Sequence, residues 1–178
     1  MRGYSLLISF CFLLLQACTS PQQKLRDAIA AGEQRLINDS TRLPDLAMAE
    51  KVSHLYVQYA NEYKEDTLSA EYLFRAGDLA NGMRHFDDAV TYYRRLRTEY
   101  PQHRKVAAAL FMEAFNLQTG LNRNEEARTC YLEFLAKYPS HPMAEAARLS
   151  VDQINSGLSD EELVRMFEAK NDSLAAGK

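Results

Sequence analysis

Residues Ala70–Pro101 read AEYLFRAGDLANGMRHFDDAVTYYRRLRTEYP, and Ala107–Pro139 read AAALFMEAFNLQTGLNRNEEARTCYLEFLAKYP. In the first, Gly77, Ala80, Ala89, Tyr93, Leu96, Tyr100 and Pro101 mark a helix, a tight turn, a second helix and a proline stop. In the second, Ala114, Leu117, Ala127, Tyr131, Phe134, Tyr138 and Pro139 repeat the pattern. The early helix is offset by 37 residues (Leu73 to Leu110, Phe74 to Phe111) and the later helix by 38 (Ala89 to Ala127, Tyr93 to Tyr131), which predicts one added residue in the intervening turn. A period of this size is the mark of a stacked helix-pair array. Small residues at Gly77, Ala80 and Ala89 let antiparallel helices approach, while Leu73, Tyr93 and Leu96 fill the space between neighbouring pairs.

These residues resemble the tetratricopeptide repeat. That family's pattern has Gly at the eighth position, Ala at the eleventh and twentieth, an aromatic at the twenty-fourth and Pro at the thirty-second. Counted from Ala70, the chain offers Gly77, Ala80, Ala89, Tyr93 and Pro101. It departs at the fourth position, where Leu73 replaces Trp, and at the twenty-seventh, where Leu96 and Phe134 replace Ala. The implied fold is all-α, a right-handed superhelix of antiparallel helix pairs with a C-terminal capping helix. The Tyr-Pro closures at Tyr100–Pro101 and Tyr138–Pro139 are also similar to those of the repeat lipoproteins of the outer-membrane β-barrel assembly machinery and of the Tol-Pal-associated coordinator.

Outward from this stretch, Leu25, Ala28, Ile29 and Leu36 predict a helix over about 22–38. Val52, Tyr56, Tyr59 and Tyr63 on a helix over 45–63 align with Ala89, Tyr93, Leu96 and Tyr100, so the chain opens on a degenerate repeat, as terminal repeats do. Thr67 and Ser69 are candidate N-caps for the helix over 70–81. Asp87–Asp88 and Glu125–Glu126 open the second helices with charges suited to a helix N-terminus. Ala144, Ala147, Val151 and Ile154 repeat the first-helix pattern a third time. Gly157 breaks that helix, and Ser159 with Glu162 forms a capping box for a short helix over 159–170. That helix is read as the cap of the array, with 171–178 as a frayed tail.

The N-terminus predicts an address. Arg2 precedes an apolar run, Leu6–Leu15, too short for the ~20 residues of a spanning helix, so residues 1–17 read as a signal peptide. Leu15, Gln16, Ala17 and Cys18 resemble a bacterial lipobox, with Gln16 departing from its usual small residue. The resemblance implies lipidation at Cys18, a tether over 18–23 and a repeat domain over 24–170. Cys11 leaves with the signal and Cys18 takes lipid, so Cys130 stands alone and reads as a small hydrophobe in a packing surface.

A net charge of -3 without a basic cluster gives no electrostatic footprint for nucleic acid. There is no glycine-rich phosphate loop, paired Cys ligands or nucleophile elbow, so no enzyme activity, cofactor or metal is expected. His103 and His141 each follow a repeat-closing Pro by two residues and read as turn residues. The tyrosines Tyr56, Tyr93 and Tyr131, one repeat apart, read as core.

The family lines its concave groove with the second, fifth, ninth and twelfth residues of each first helix. By that resemblance the groove comprises Glu71, Phe74, Asp78 and Asn81, then Ala108, Phe111, Phe115 and Gln118, then Glu145, Arg148, Asp152 and Asn155. Phe74 and Phe111 are open to a second reading, packing between helices. The expected function is a lipid-anchored scaffold or adaptor at the periplasmic face of the outer membrane, binding a protein or peptide of the envelope. The alternatives are a glycan or peptidoglycan binder and an accessory of barrel assembly.

Overall fold

The computed structural model describes residues 20–38 and 45–157, together with positions 162 and 165, both helical. The predicted signal peptide, Cys18, the break over 39–44 and the tail over 171–178 lie outside the described residues. So does most of the predicted capping helix.

Seven α-helices appear among the described residues: α1 (Pro21–Asn38), α2 (Leu46–Glu62), α3 (Thr67–Gly82), α4 (Phe86–Glu99), α5 (Val106–Phe115), α6 (Asn124–Lys137) and α7 (Ala144–Ser156). A π-helical turn, Asn116–Gly120, continues α5. Each helix packs on the next in sequence, giving an all-α solenoid of helix pairs. None of these helices is long and apolar enough to cross a membrane.

The repeated residues carry the packing. Leu73, Ala76, Ala80, Ala89, Tyr93 and Leu96 are buried in the first full pair; Leu110, Ala114, Leu117, Ala127, Tyr131 and Phe134 are buried in the second. At Gly77 a Cβ would stand 2.6 Å from the Tyr93 ring, so a missing side chain is what admits the tyrosine. Tyr63, Tyr100 and Tyr138 close the second helices identically. Each donates its backbone N–H to the carbonyl four residues back, on Tyr59, Leu96 and Phe134.

Three details differ from expectation. The helix over 70–81 starts a turn earlier, at Thr67, because Asp66 caps it by accepting from the Leu68 N–H at 2.9 Å. Ser69 is buried instead, its hydroxyl donating to the Tyr63 carbonyl. The helix expected from about residue 22 begins at Pro21, inside the stretch read as a tether, with Ser20 Oγ accepting from the Gln23 N–H.

The third concerns the added residue. The turns 83–85 and 121–123 match in length, and Arg84 and Asn122 both sit in the left-handed region at φ 62° and 57°. The extra residue lies within the helix, where it widens one turn: the Leu121 N–H reaches back five residues to the Asn116 carbonyl.

A buried carboxylate sits at Glu113, clasped by Arg94 Nε at 2.7 Å and Arg97 Nε at 2.5 Å, fastening α5 to α4. A buried charge persists where it is paired in this way. Cys130 lies nearby and is buried, and burial together with the Glu113 charge pushes its thiol up to about 11. At neutral pH it stays protonated, as packing requires.

Candidate functional site

The first helices of successive pairs form one face, and the predicted groove residues divide there into two environments. In the earlier half the face is ionic. Arg75 of α3 reaches Glu33 of α1 at 2.5 Å and Glu71 at 3.4 Å, and Glu71 in turn holds Lys105, at the start of α5, at 2.8 Å. Burial works to raise the Glu71 carboxyl, but hydrogen bonds and charge from Lys105 and Arg75 outweigh it and hold it below its ordinary value. Phe74 stands in this lattice edge-on to Tyr93, its ring 4.2 Å from Lys105 Nζ. Asp78 accepts the Tyr93 hydroxyl at 2.7 Å, and Asn81 is half-buried at the end of the row.

In the later half the face is apolar and amide-rich. Phe111 is half-buried and packs edge-on against both Tyr131 and Phe134, so its ring serves the core, in line with the packing reading. Phe115 is 38% exposed. It occupies the place of Asp78, one period on, and a phenyl ring accepts no hydrogen bond from a core tyrosine. The π turn supplies the substitute, bringing Gln118 Oε1 to the Tyr131 hydroxyl at 3.1 Å. Gln118 then donates through Nε2 to Gln153 on α7 at 3.3 Å.

Phe115 and Gln118 open onto a cavity of about 520 Å³ between the π turn, the start of α6 and α7. Asn122, Asn124, Gln153 and Ile154 complete much of its wall, and Glu162 reaches it from beyond Gly157. The wall thus presents several side-chain amides around one phenyl ring and one branched aliphatic. Amides both donate and accept, which matches the backbone of an extended peptide.

The third predicted set remains apart from the cavity. Arg148 is exposed, paired with Glu145 and donating to the Pro139 carbonyl. Asp152 is exposed, and Asn155 accepts from Arg128 at 2.7 Å. Reading fixed repeat positions passes over Asn122, Asn124 and Gln153, because the first lies in a turn, the second opens α6 and the third depends on how α7 packs. The 38-residue offset was the available signal, since it marks where the regular helix gives way.

His103 and His141 hold matching turn positions: their Nδ1 atoms accept from the Lys105 and Met143 N–H groups at 3.4 and 3.2 Å. Among the described residues no group of three or more His, Cys, Asp or Glu is arranged to hold a metal ion.

A tetratricopeptide repeat family model matches residues 71–103 and 108–141. Two consecutive segments of the chain are thus similar to tetratricopeptide repeats. The matches begin at Glu71 and Ala108, the positions from which the ionic and apolar halves of the face diverge. No curated protein matches the chain. Tetratricopeptide repeats generally mediate protein–protein contact, so a protein partner is the function class that the fold supports.

Proposed function

We propose that this chain is a lipid-anchored scaffold at the periplasmic face of the outer membrane, and that it docks a protein segment in the cavity around Phe115. The address comes from the residues before the domain: an apolar run too short to span, ended by Leu15, Gln16, Ala17 and Cys18. The binding role comes from the repeats. The single observation that carries it is the exposed Phe115 ring set among the amides of Gln118, Asn122, Asn124 and Gln153 in a cavity of about 520 Å³. An aromatic anchor surrounded by orienting polar groups is the usual make-up of a binding pocket.

The test is photo-crosslinking and affinity capture from intact cells, comparing wild type with a Phe115→Glu variant whose melting curve matches it. A discrete envelope protein captured by wild type and lost with the variant supports the reading. Equal capture by both removes the cavity from the interaction. The same lining also suits a sugar chain, so cosedimentation with purified peptidoglycan that Phe115→Glu abolishes would assign the cavity to glycan instead. An accessory role in barrel assembly predicts that the captured partner is itself part of that machinery.

A further inference from the structure

We propose that the edge of the array formed by the start of α1 and the turns 63–66 and 100–105 rests on the surface of a phospholipid bilayer, which leaves the Phe115 cavity facing away from the membrane. This rests on the lipid-anchor reading of Cys18 and deepens it.

Little free chain separates Cys18 from the folded domain. Ordered structure is in place at Ser20, whose Oγ accepts from the Gln23 N–H at 3.1 Å and whose carbonyl accepts from the Lys24 N–H at 3.0 Å. Only Thr19 separates Ser20 from Cys18. Two fully extended steps span about 7 Å, so an acylated Cys18 would place the domain directly on the headgroups.

The start of α1 is also fixed to the array. Gln22 Nε2 donates to the Tyr59 hydroxyl at 2.8 Å and to Asp66 Oδ2 at 2.6 Å, and that same Asp66 oxygen accepts the Tyr59 hydroxyl. Leu25 and Ile29 are buried behind this cluster. The anchored residue therefore addresses a rigid body, and the surface beside it is determined by the fold.

That surface is the row of turns. Asp66 belongs to the turn between α2 and α3, and Lys64 in the same turn accepts the Tyr100 hydroxyl on its carbonyl at 3.0 Å, which brings the next turn alongside. Between the two turns lies a recess of about 450 Å³ whose wall includes Lys64, Glu65, Thr67 and Glu99. Its one ammonium, on Lys64, and three carboxylates, on Glu65, Asp66 and Glu99, give the recess an acidic rim that suits the ammonium of a phosphatidylethanolamine headgroup.

The helices then set the height of the cavity. α5 begins at Val106, next to this edge, and with its π turn runs 15 residues to Gly120. At 1.5 Å per residue that is ~20 Å, so the Phe115 end of the face stands clear of the lipid and a partner reaches it from the aqueous side.

The experiment uses the full chain purified from membranes and placed in vesicles of phosphatidylethanolamine and phosphatidylglycerol that contain a nitroxide-headgroup lipid. Mass spectrometry first establishes whether Cys18 is acylated. Fluorophores are then attached to Gln102→Cys on the proposed edge or to Asp88→Cys at the far end of α4, in a Cys130→Ala background that melts like wild type. The 14 residues of α4 separate the two ends by ~20 Å, so the Gln102 probe is expected to be quenched at least ~threefold more strongly. Ten Gly and Ser residues inserted after Thr19 should collapse that difference. An unacylated Cys18 overturns the anchor reading and this inference with it. Acylation with equal quenching at both sites, or a difference unchanged by the insertion, overturns the inference alone.

Discussion

The two repeats share a buried scaffold and differ on the face between their edges. Glu71, Arg75 and Asp78 in the first become Ala108, Met112 and Phe115 in the second, while Leu73, Gly77 and Ala80 become Leu110, Ala114 and Leu117. In the first repeat every one of those three charges is engaged within the chain: Glu71 with Lys105, Arg75 with Glu33, Asp78 with the Tyr93 hydroxyl. In the second the corresponding surface ends on an exposed phenyl ring and an amide-lined cavity. A face whose charges are mutually satisfied has little to offer a partner, whereas one that exposes a ring gains by covering it. The repeat unit fixes the core, and its single added residue is what allows the second face to depart from the first.

The largest effect should fall on what the repeats have in common. Tyr93→Ala and Tyr131→Ala should each cost ~3–5 kcal/mol, measured by denaturant unfolding, because both rings are fully buried. Tyr→Phe at the same sites separates the halves, since it removes only a hydroxyl. The loss should be about 1 kcal/mol at Tyr93, whose bond to Asp78 is 2.7 Å, and smaller at Tyr131, whose bond to Gln118 is 3.1 Å. Equal losses would mean that the π turn reproduces the first repeat's support in full.

A second pair of variants tests the π turn itself. Gly82 and Gly120 occupy the same repeat position, yet a Cβ at Gly82 meets nothing within 4 Å and one at Gly120 runs into the Phe86 ring. Gly120→Ala should therefore cost ~1–3 kcal/mol through overpacking, and Gly82→Ala should gain up to ~1 kcal/mol through helix propensity. Thermal melts of the two variants decide it. A gain at both would show that Phe86 yields easily and that the π turn is held by something other than that contact.

What the sequence made legible follows from what repeats encode. Buried positions must interlock with neighbours of the same kind, so Tyr93, Tyr131, Leu96 and Phe134 announced themselves by recurring. The face is under no such constraint, and its readings were correspondingly partial. Phe115 and Gln118 meet at one cavity, while Phe111, one turn earlier, turns to the core. The added residue was visible as an offset but its place was not, because a widened helical turn and a longer loop leave the same spacing. Asp66, Thr67 and Ser69 are all good caps by composition, and only the packing of Ser69 against the Tyr63 carbonyl selects among them. Nothing in the repeat pattern singles out Glu113, and its role emerges only where Arg94 and Arg97 converge on it from the preceding helix.

Acid should expose the first repeat's ionic character. The Tyr59 hydroxyl and then the Leu68 N–H hold the Asp66 carboxyl below its ordinary 3.8, against burial, and Glu71 is held below its ordinary 4.5. Groups lowered in the folded state contribute stability above their unfolded values and lose it as pH falls through the folded ones. Burial also lowers His103 from 6.5, so protonating it opposes folding and the sign is the same. Asp78, which burial raises against the lowering hydrogen bond from the Tyr93 hydroxyl, works in the opposite direction. The melting temperature should hold above pH 6.5 and decline in two stages, through the histidine range and again below 4.5. His103→Gln should remove the first stage, and Asp66→Asn should flatten the second. A curve unchanged by either variant would place the acid sensitivity outside this half of the array.

The smallest effect should come from cutting the ion chain at its middle. Arg75 is 44% exposed on its side chain and bridges Glu33 and Glu71, but each carboxylate keeps another partner: Glu33 accepts the Tyr56 hydroxyl at 2.6 Å, and Glu71 retains Lys105. Screened by solvent, such a bridge contributes roughly 0–1 kcal/mol, so Arg75→Ala should lower stability by at most ~0.5 kcal/mol in low salt. At 1 M salt, where the screening length falls to about 3 Å, even that difference should disappear. A larger, salt-insensitive loss would mean that Arg75 contributes through its packed stem as well as its charge. The first repeat's face would then be a structural seam between α1 and α3, and the contrast with the second repeat would lie in rigidity more than in charge.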